Sequence, residues 1–165
     1  MRGTVKIVLP IFALAFSAGL SSAWATDSIV GTWRLLSWSE EETDSKAVHK
    51  TFGDNPSGLF TFTADGRMMI IFADSTRKAP AGPTVTDTEA AQLWRTMVAF
   101  AGRYKTDGDK LTLYPDVASN PRFNGAELAR FFEIRGDRLQ IKTTPAVSPQ
   151  LGKETVVTAV WEPVK

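Results

Sequence analysis

From Gly31 onward, short stretches of β-favouring residues follow one another, and each is closed by a turn signal. Ser57 to Thr63 alternates apolar and polar residues, with both of its phenylalanines on one face. Asp65-Gly66 is a hairpin signal, and Arg67 to Ala73 predicts the returning strand. Eight or nine such strands are expected along the chain, which favours an all-β antiparallel barrel or sandwich.

One helix interrupts the predicted strands. Thr86 with Glu89 three residues later forms a capping box. Apolar residues then recur at helical spacing and predict a helix over about residues 87–101, with its apolar stripe buried against the sheet or across one end of it. The stripe consists of Ala90, Leu93, Trp94, Met97, Val98 and Ala101.

The first 25 residues have the organisation of a secretory signal. Arg2 and Lys6 precede an apolar run, Ile7 to Phe16, and Ala23-Trp24-Ala25 is the pattern that a signal peptidase accepts. Cleavage after Ala25 leaves residues 26–165 as one domain with no stable membrane anchor. An uncleaved anchor is the alternative, since the run approaches a membrane-spanning length. We expect a Sec-type route to the periplasm or the medium.

Composition excludes several functional classes. Without Arg2 and Lys6, 17 basic residues stand against 18 acidic ones, and this balance provides no field for nucleic acid. The chain has no cysteine, which removes disulfides, thiol nucleophiles and zinc–thiolate sites. His49 is the single histidine, so a His-based metal site or catalytic triad would have to rest on it alone. We predict no metal, no cofactor and no catalytic residue.

The run of acidic residues from Glu40 to Glu42, followed by Asp44, looks at first like a metal site. Consecutive carboxylates alternate faces on a strand, so a solvated strand end or loop is the better prediction. Similarly, His49 lies beside Lys50 on a short polar stretch, and we expect it to be exposed rather than to act as a base.

Several motifs together carry a family resemblance, which extends from Gly31 to Trp161. Gly31-Thr32-Trp33 opens the first strand, and the later elements occur in the expected order. The chain resembles the bacterial lipocalin-like domain family. The later elements are Asn55-Pro-Ser-Gly58, Phe62-Thr-Ala-Asp-Gly66, Ala101-Gly-Arg-Tyr104, Gly108-Asp109, Asn120-Pro121, Arg130 to Leu139 and Trp161.

The resemblance implies a closed or nearly closed barrel in which Gly31 and Trp33 mark the closed end. A small barrel of this kind either fills its interior with side chains or holds one small ligand. Arg130, among apolar neighbours, would need an anion such as a ligand carboxylate if it pointed inward, although exposure or pairing with Glu127 or Glu133 is the simpler expectation. The predicted ligand-binding residues are Phe60, Phe62, Met69, Ile71, Tyr104, Tyr114, Arg130 and Phe132.

Three functions follow, in order of preference. The first is an exported protein that binds a small apolar molecule such as a lipid, pigment or similar metabolite. The second is an envelope protein-interaction module with a filled core. The third is a cofactor-free isomerase or cyclase acting in the same cavity, and no residue combination in the sequence demands such chemistry. The oligomeric state is not readable from the sequence.

Overall fold

The structure is a computed structural model that describes residues 28–165, so the predicted signal peptide and its cleavage site lie outside the described residues. Short strands dominate, as the turn signals predict. The elements are β1 (Gly31–Glu42), β2 (Val48–His49), β3 (Ser57–Phe62), β4 (Arg67–Ala73), α1 (Asp87–Arg95), β5 (Met97–Asp107), β6 (Lys110–Ala118), a 3-10 helix (Pro121–Phe123), β7 (Leu128–Arg135), β8 (Arg138–Thr143), β9 (Ala146–Val147) and β10 (Glu154–Pro163).

Eight of these strands close into an antiparallel barrel in the order β1-β3-β4-β5-β6-β7-β8-β10, and β10 pairs back onto β1. The short β2 and β9 extend the sheet outside the ring, on β1 and β10 respectively. Closure leaves few unpaired strand edges, which all-β proteins must otherwise protect. The predicted closed antiparallel barrel is therefore confirmed.

Strict alternation of side chains separates the barrel interior from its outer surface. In β4, Met68, Ile70 and Phe72 are buried, whereas Met69 and Ile71 are exposed. Because opposite residues in an antiparallel pair share a face, the register carries this assignment around the barrel. Phe60 pairs with Ile70 in this way.

The predicted helix is wrong in its second half. Thr86 does cap α1 with a complete capping box, but the helix ends at Arg95 and buries no residue. Met97 to Ala101 belong to β5, where they pair in register with β4. Val98 and Phe100 sit on the interior face there, since they pair with Phe72 and Ile70. Cross-strand pairing and burial outweigh helical periodicity in this segment.

Two other segments show how pairing sets the strand boundaries. β2 is limited to Val48 and His49, and Phe52 after it is fully buried. β6 continues to Ala118 through a register shift against β5. At this register shift the backbones of β5 and β6 approach each other closely. Gly102 allows the approach, since a Cβ there would lie 2.1 Å from the Tyr114 carbonyl oxygen.

Candidate functional site

The structure places the eight predicted ligand-binding residues on two different faces. Phe60 and Phe62 are buried inside the barrel, and Tyr104, Arg130 and Phe132 occupy interior positions with partial exposure.

Met69, Ile71 and Tyr114 lie on the outer face, so their predicted place in the lumen is wrong. Met69 and Ile71 are 60% and 48% exposed. Tyr114 alternates with the buried Leu113 and Pro115 and pairs with the exposed Arg103. Both faces of β4 are apolar, so hydrophobicity alone could not choose between them; its pairing with β3 and β5 makes the choice.

One side of the interior is filled by aromatic rings. Phe72 lies at the centre, with ring centroids 4.5 Å from Trp38, 4.9 Å from Phe52 and 6.5 Å from Trp161. Phe60 continues the packing towards Trp161, at 5.6 Å. These ring contacts make this part of the barrel interior a packed core. We call this group of five residues, together with Phe62, the aromatic core.

The opposite side of the interior is reached by solvent along β7. Each interior side chain of β7 is only partly buried, in contrast to those of β4, where Met68, Ile70 and Phe72 are fully buried. Leu128, Phe132 and Ile134 are apolar and pack against the buried hydrophobic residues of the barrel. Ladder pairing of β7 with β6 spans only residues 128–131 of β7. We call these four side chains the β7 wall: Leu128, Arg130, Phe132 and Ile134.

Arg130 is the charged member of the β7 wall. It pairs in register with Leu111 on one side and Thr143 on the other. Its Nη1 donates to the Ala129 carbonyl oxygen at 2.7 Å, and within residues 28–165 it forms no ion pair. Burial lowers the pKa of the guanidinium to about 10. The expected pairing with Glu127 or Glu133 is wrong for the described residues, since neither forms an ion pair with Arg130 and Glu133 faces outward and binds Arg135 at 2.7 Å. The expected exposure is found in part, because Arg130 is partly exposed.

Near the end of β1 the interior face becomes polar. Glu40 and Glu42 are each 2% exposed and point inward, while Glu41 between them is exposed. The predicted solvated end is therefore wrong. We call these residues and their side-chain partners from β2, β10 and the neighbouring loops the carboxylate cluster: Glu40, Glu42, Ser45, His49, Thr51, Lys153 and Thr155.

The two buried carboxylates have different partners. Glu42 accepts hydrogen bonds from Lys153 Nζ at 2.7 Å and from Ser45, and its Oε1 lies 2.7 Å from His49 Nε2. The Lys153 bond is the main reason that the pKa of Glu42 falls to about 2. Glu40 is held by neutral donors, the hydroxyls of Thr51 and Thr155 and the Trp38 indole. His49 therefore belongs to this cluster rather than standing alone in solvent.

Trp33 is buried near the start of β1. Its indole N–H donates to the Ile29 carbonyl oxygen at 2.8 Å, which holds the residues before β1 against the barrel. Gly31 adopts φ +140°, a backbone conformation that suits glycine. The role of Gly31 and Trp33 at a closed end remains a prediction.

The model of the lipocalin-like domain family matches residues 30–163, which include every strand of the barrel. The chain belongs to the lipocalin-like domain family. No curated protein matches it. Membership of this family specifies the barrel fold, but it does not assign a function to particular residues.

Two shallow clefts on the outer surface of the described residues stand apart from the barrel interior. One, of about 620 Å³, follows α1 and is lined by Asp87, Gln92 and Arg95. The other, of about 340 Å³, crosses the outer faces of β3 to β6 beside Met69 and Val117.

Within residues 28–165, no group of three or more His, Cys, Asp or Glu side chains is placed to hold a metal ion. No helix in that range is long and apolar enough to cross a membrane.

Proposed function

We propose that this lipocalin-like protein holds a small apolar molecule in its barrel interior, against the β7 wall. Family membership supports ligand binding in general terms. The observation that carries the proposal is the asymmetry of the interior. The aromatic core fills one side, whereas the β7 wall, in which three of the four side chains are apolar, is only partly buried. Apolar surface lining a concave interior gains free energy when a ligand removes it from water.

We further propose that the protein does this outside the cytoplasm. The support is the N-terminal sequence, in which a basic start, an apolar run and Ala23-Trp24-Ala25 follow one another. A cysteine-free barrel needs no oxidant to fold after export, and its length is sufficient to bury a core without disulfides.

Two adjacent phenylalanines on β7 provide a matched pair of variants. Phe132 is interior and partly buried, whereas Phe131 faces outward and is 43% exposed. We would titrate the exported protein with the neutral fluorescent probe N-phenyl-1-naphthylamine. Removing about 50 Å² of apolar contact at roughly 25 cal/mol per Å² costs about tenfold in affinity. Phe132→Gln should therefore raise the Kd about tenfold, and Phe131→Gln should change it less than twofold.

Circular dichroism and the unfolding midpoint of each variant establish that the barrel is intact. Saturable binding of one probe per chain that depends on Phe132 supports an interior site. Binding that weakens equally in both variants, or that never saturates, contradicts it and favours adsorption to the exposed apolar outer face.

A further inference from the structure

The ligand needs more than an apolar surface, because the β7 wall contains a charge. Leu128 and Phe132 flank Arg130 on the same face of the strand. The described part of the chain supplies no carboxylate to Arg130: Glu133 binds Arg135, and Glu40 and Glu42 are held within the carboxylate cluster. A guanidinium in apolar surroundings is costly unless an anion accompanies it.

Protein groups within residues 28–165 bind few of the N–H donors of Arg130. A guanidinium has five N–H donors in a planar fork, and only the Nη1 bond to Ala129 uses one within residues 28–165. Burial lowers the pKa of Arg130 to about 10, which still leaves the group positively charged at neutral pH. The donors that remain suit a planar acceptor with two oxygens.

A second donor lies directly opposite. Thr143 pairs with Arg130 in the β7–β8 register, so both side chains share the interior face. The Thr143 hydroxyl oxygen accepts the Val157 backbone N–H at 2.9 Å. Its own O–H is therefore directed away from that N–H and remains able to donate.

We propose that the molecule held in the barrel is an amphiphile with a carboxylate, which binds between Arg130 and Thr143 while its apolar body lies along the β7 wall. This inference rests on the proposed function and names the class of its ligand. The positive charge, the unused donors and the adjoining apolar side chains complement the two halves of such a molecule. Neutral apolar molecules of the same size satisfy only one half.

Dodecanoate and 1-dodecanol are suitable probes because they share one chain length and differ in head group. Their affinities are measured by displacement of N-phenyl-1-naphthylamine from the exported protein. A charge-assisted hydrogen-bond pair is worth about tenfold or more in Kd. The wild-type protein should bind dodecanoate at least tenfold more tightly than dodecanol. In Arg130→Gln the two should bind within about twofold of each other, because dodecanoate loses its head-group partner.

Three further variants control this test. Arg103→Gln removes an exposed arginine on the outer face of β5 and should keep the wild-type preference. Arg130→Lys keeps the charge without the planar fork and should give an intermediate preference, which protects the test if Arg130→Gln folds poorly. Thr143→Val removes the second donor and should weaken dodecanoate binding by a few fold.

The outcomes separate the two proposals. Equal binding of dodecanoate and dodecanol by the wild-type protein overturns the carboxylate inference and leaves the apolar site standing. A dodecanoate preference that persists in Arg130→Gln also overturns it, because the anion then binds elsewhere. Failure of the neutral probe and both dodecyl compounds to bind contradicts the proposed function itself.

Discussion

Phe72 should be among the most sensitive positions for stability, because it joins the two ends of the aromatic core. Its ring is 1% exposed and contacts Trp38, Phe52 and Trp161. Replacing a buried phenylalanine by alanine costs about 3–5 kcal/mol, and each aromatic pair adds about 0.5–1.5 kcal/mol beyond burial. We therefore expect Phe72→Ala to lower the free energy of unfolding by about 4–5 kcal/mol. That is about a quarter or more of the stability of a typical domain.

Two variants with smaller expected costs serve as controls for this value. Phe72→Leu keeps most of the apolar volume and loses only the ring contacts, so it should cost about 1–2 kcal/mol. Phe131→Ala removes a ring that is already 43% exposed, and it should cost less than about 1 kcal/mol.

Urea unfolding followed by tryptophan fluorescence and far-ultraviolet circular dichroism measures these differences. The slope of unfolding free energy with urea should not change, because the same surface is exposed in each case. At about 4 °C per kcal/mol, Phe72→Ala should lower the Tm by roughly 15–20 °C. A cost for Phe72→Ala within 1.5 kcal/mol of that for Phe131→Ala would refute the packed aromatic core.

Two further predictions concern the barrel's polar end and its tightest backbone contact. The pKa of Glu42 falls from 4.5 to about 2 in the folded protein, so its stabilisation is complete above about pH 4.5 and is lost as the pH falls towards 2. Glu42→Gln should therefore flatten the fall in urea midpoint over that range, and Glu41→Gln, at an exposed position, should not. Gly102→Ala brings a Cβ within 2.1 Å of a backbone oxygen and should cost about 1–3 kcal/mol or more in thermal unfolding. Gly82→Ala meets no atom within 4 Å and should be neutral or slightly stabilising; equal costs at both glycines would contradict the close approach.

Turn residues and the alternation of apolar and polar side chains predicted the strands of the barrel, because both patterns depend only on neighbouring residues in the sequence. Asp65-Gly66 forms its hairpin between β3 and β4, and Gly136-Asp137 forms another between β7 and β8. Met97 to Ala101 shows where local information fails. The segment has helical spacing, but it is also an apolar run that pairs with β4, and only the tertiary partner decides between the two.

The sequence could not predict the burial of Glu40 and Glu42 or the lack of an ion pair at Arg130, for different reasons. Glu40 and Glu42 alternate with exposed residues, which is a strand pattern, but burying two carboxylates becomes favourable only when Thr51, Lys153 and Thr155 arrive from distant segments. By contrast, the sequence could predict the interior position of Arg130, because Leu128, Phe132 and Ile134 occupy alternate positions on the same face of β7. The missing information was that Glu133 is engaged with Arg135.

Native mass spectrometry of the full chain, produced with its own N-terminal residues and recovered after export, tests ligand binding most directly. We expect one adduct of a few hundred daltons per chain, which is released when the protein unfolds and is less abundant in Phe132→Gln but not in Phe131→Gln. The intact mass also reports whether cleavage occurs after Ala25. An unshifted mass, unchanged by excess dodecanoate, dodecanol or N-phenyl-1-naphthylamine, would contradict an interior site and identify the barrel as a filled core.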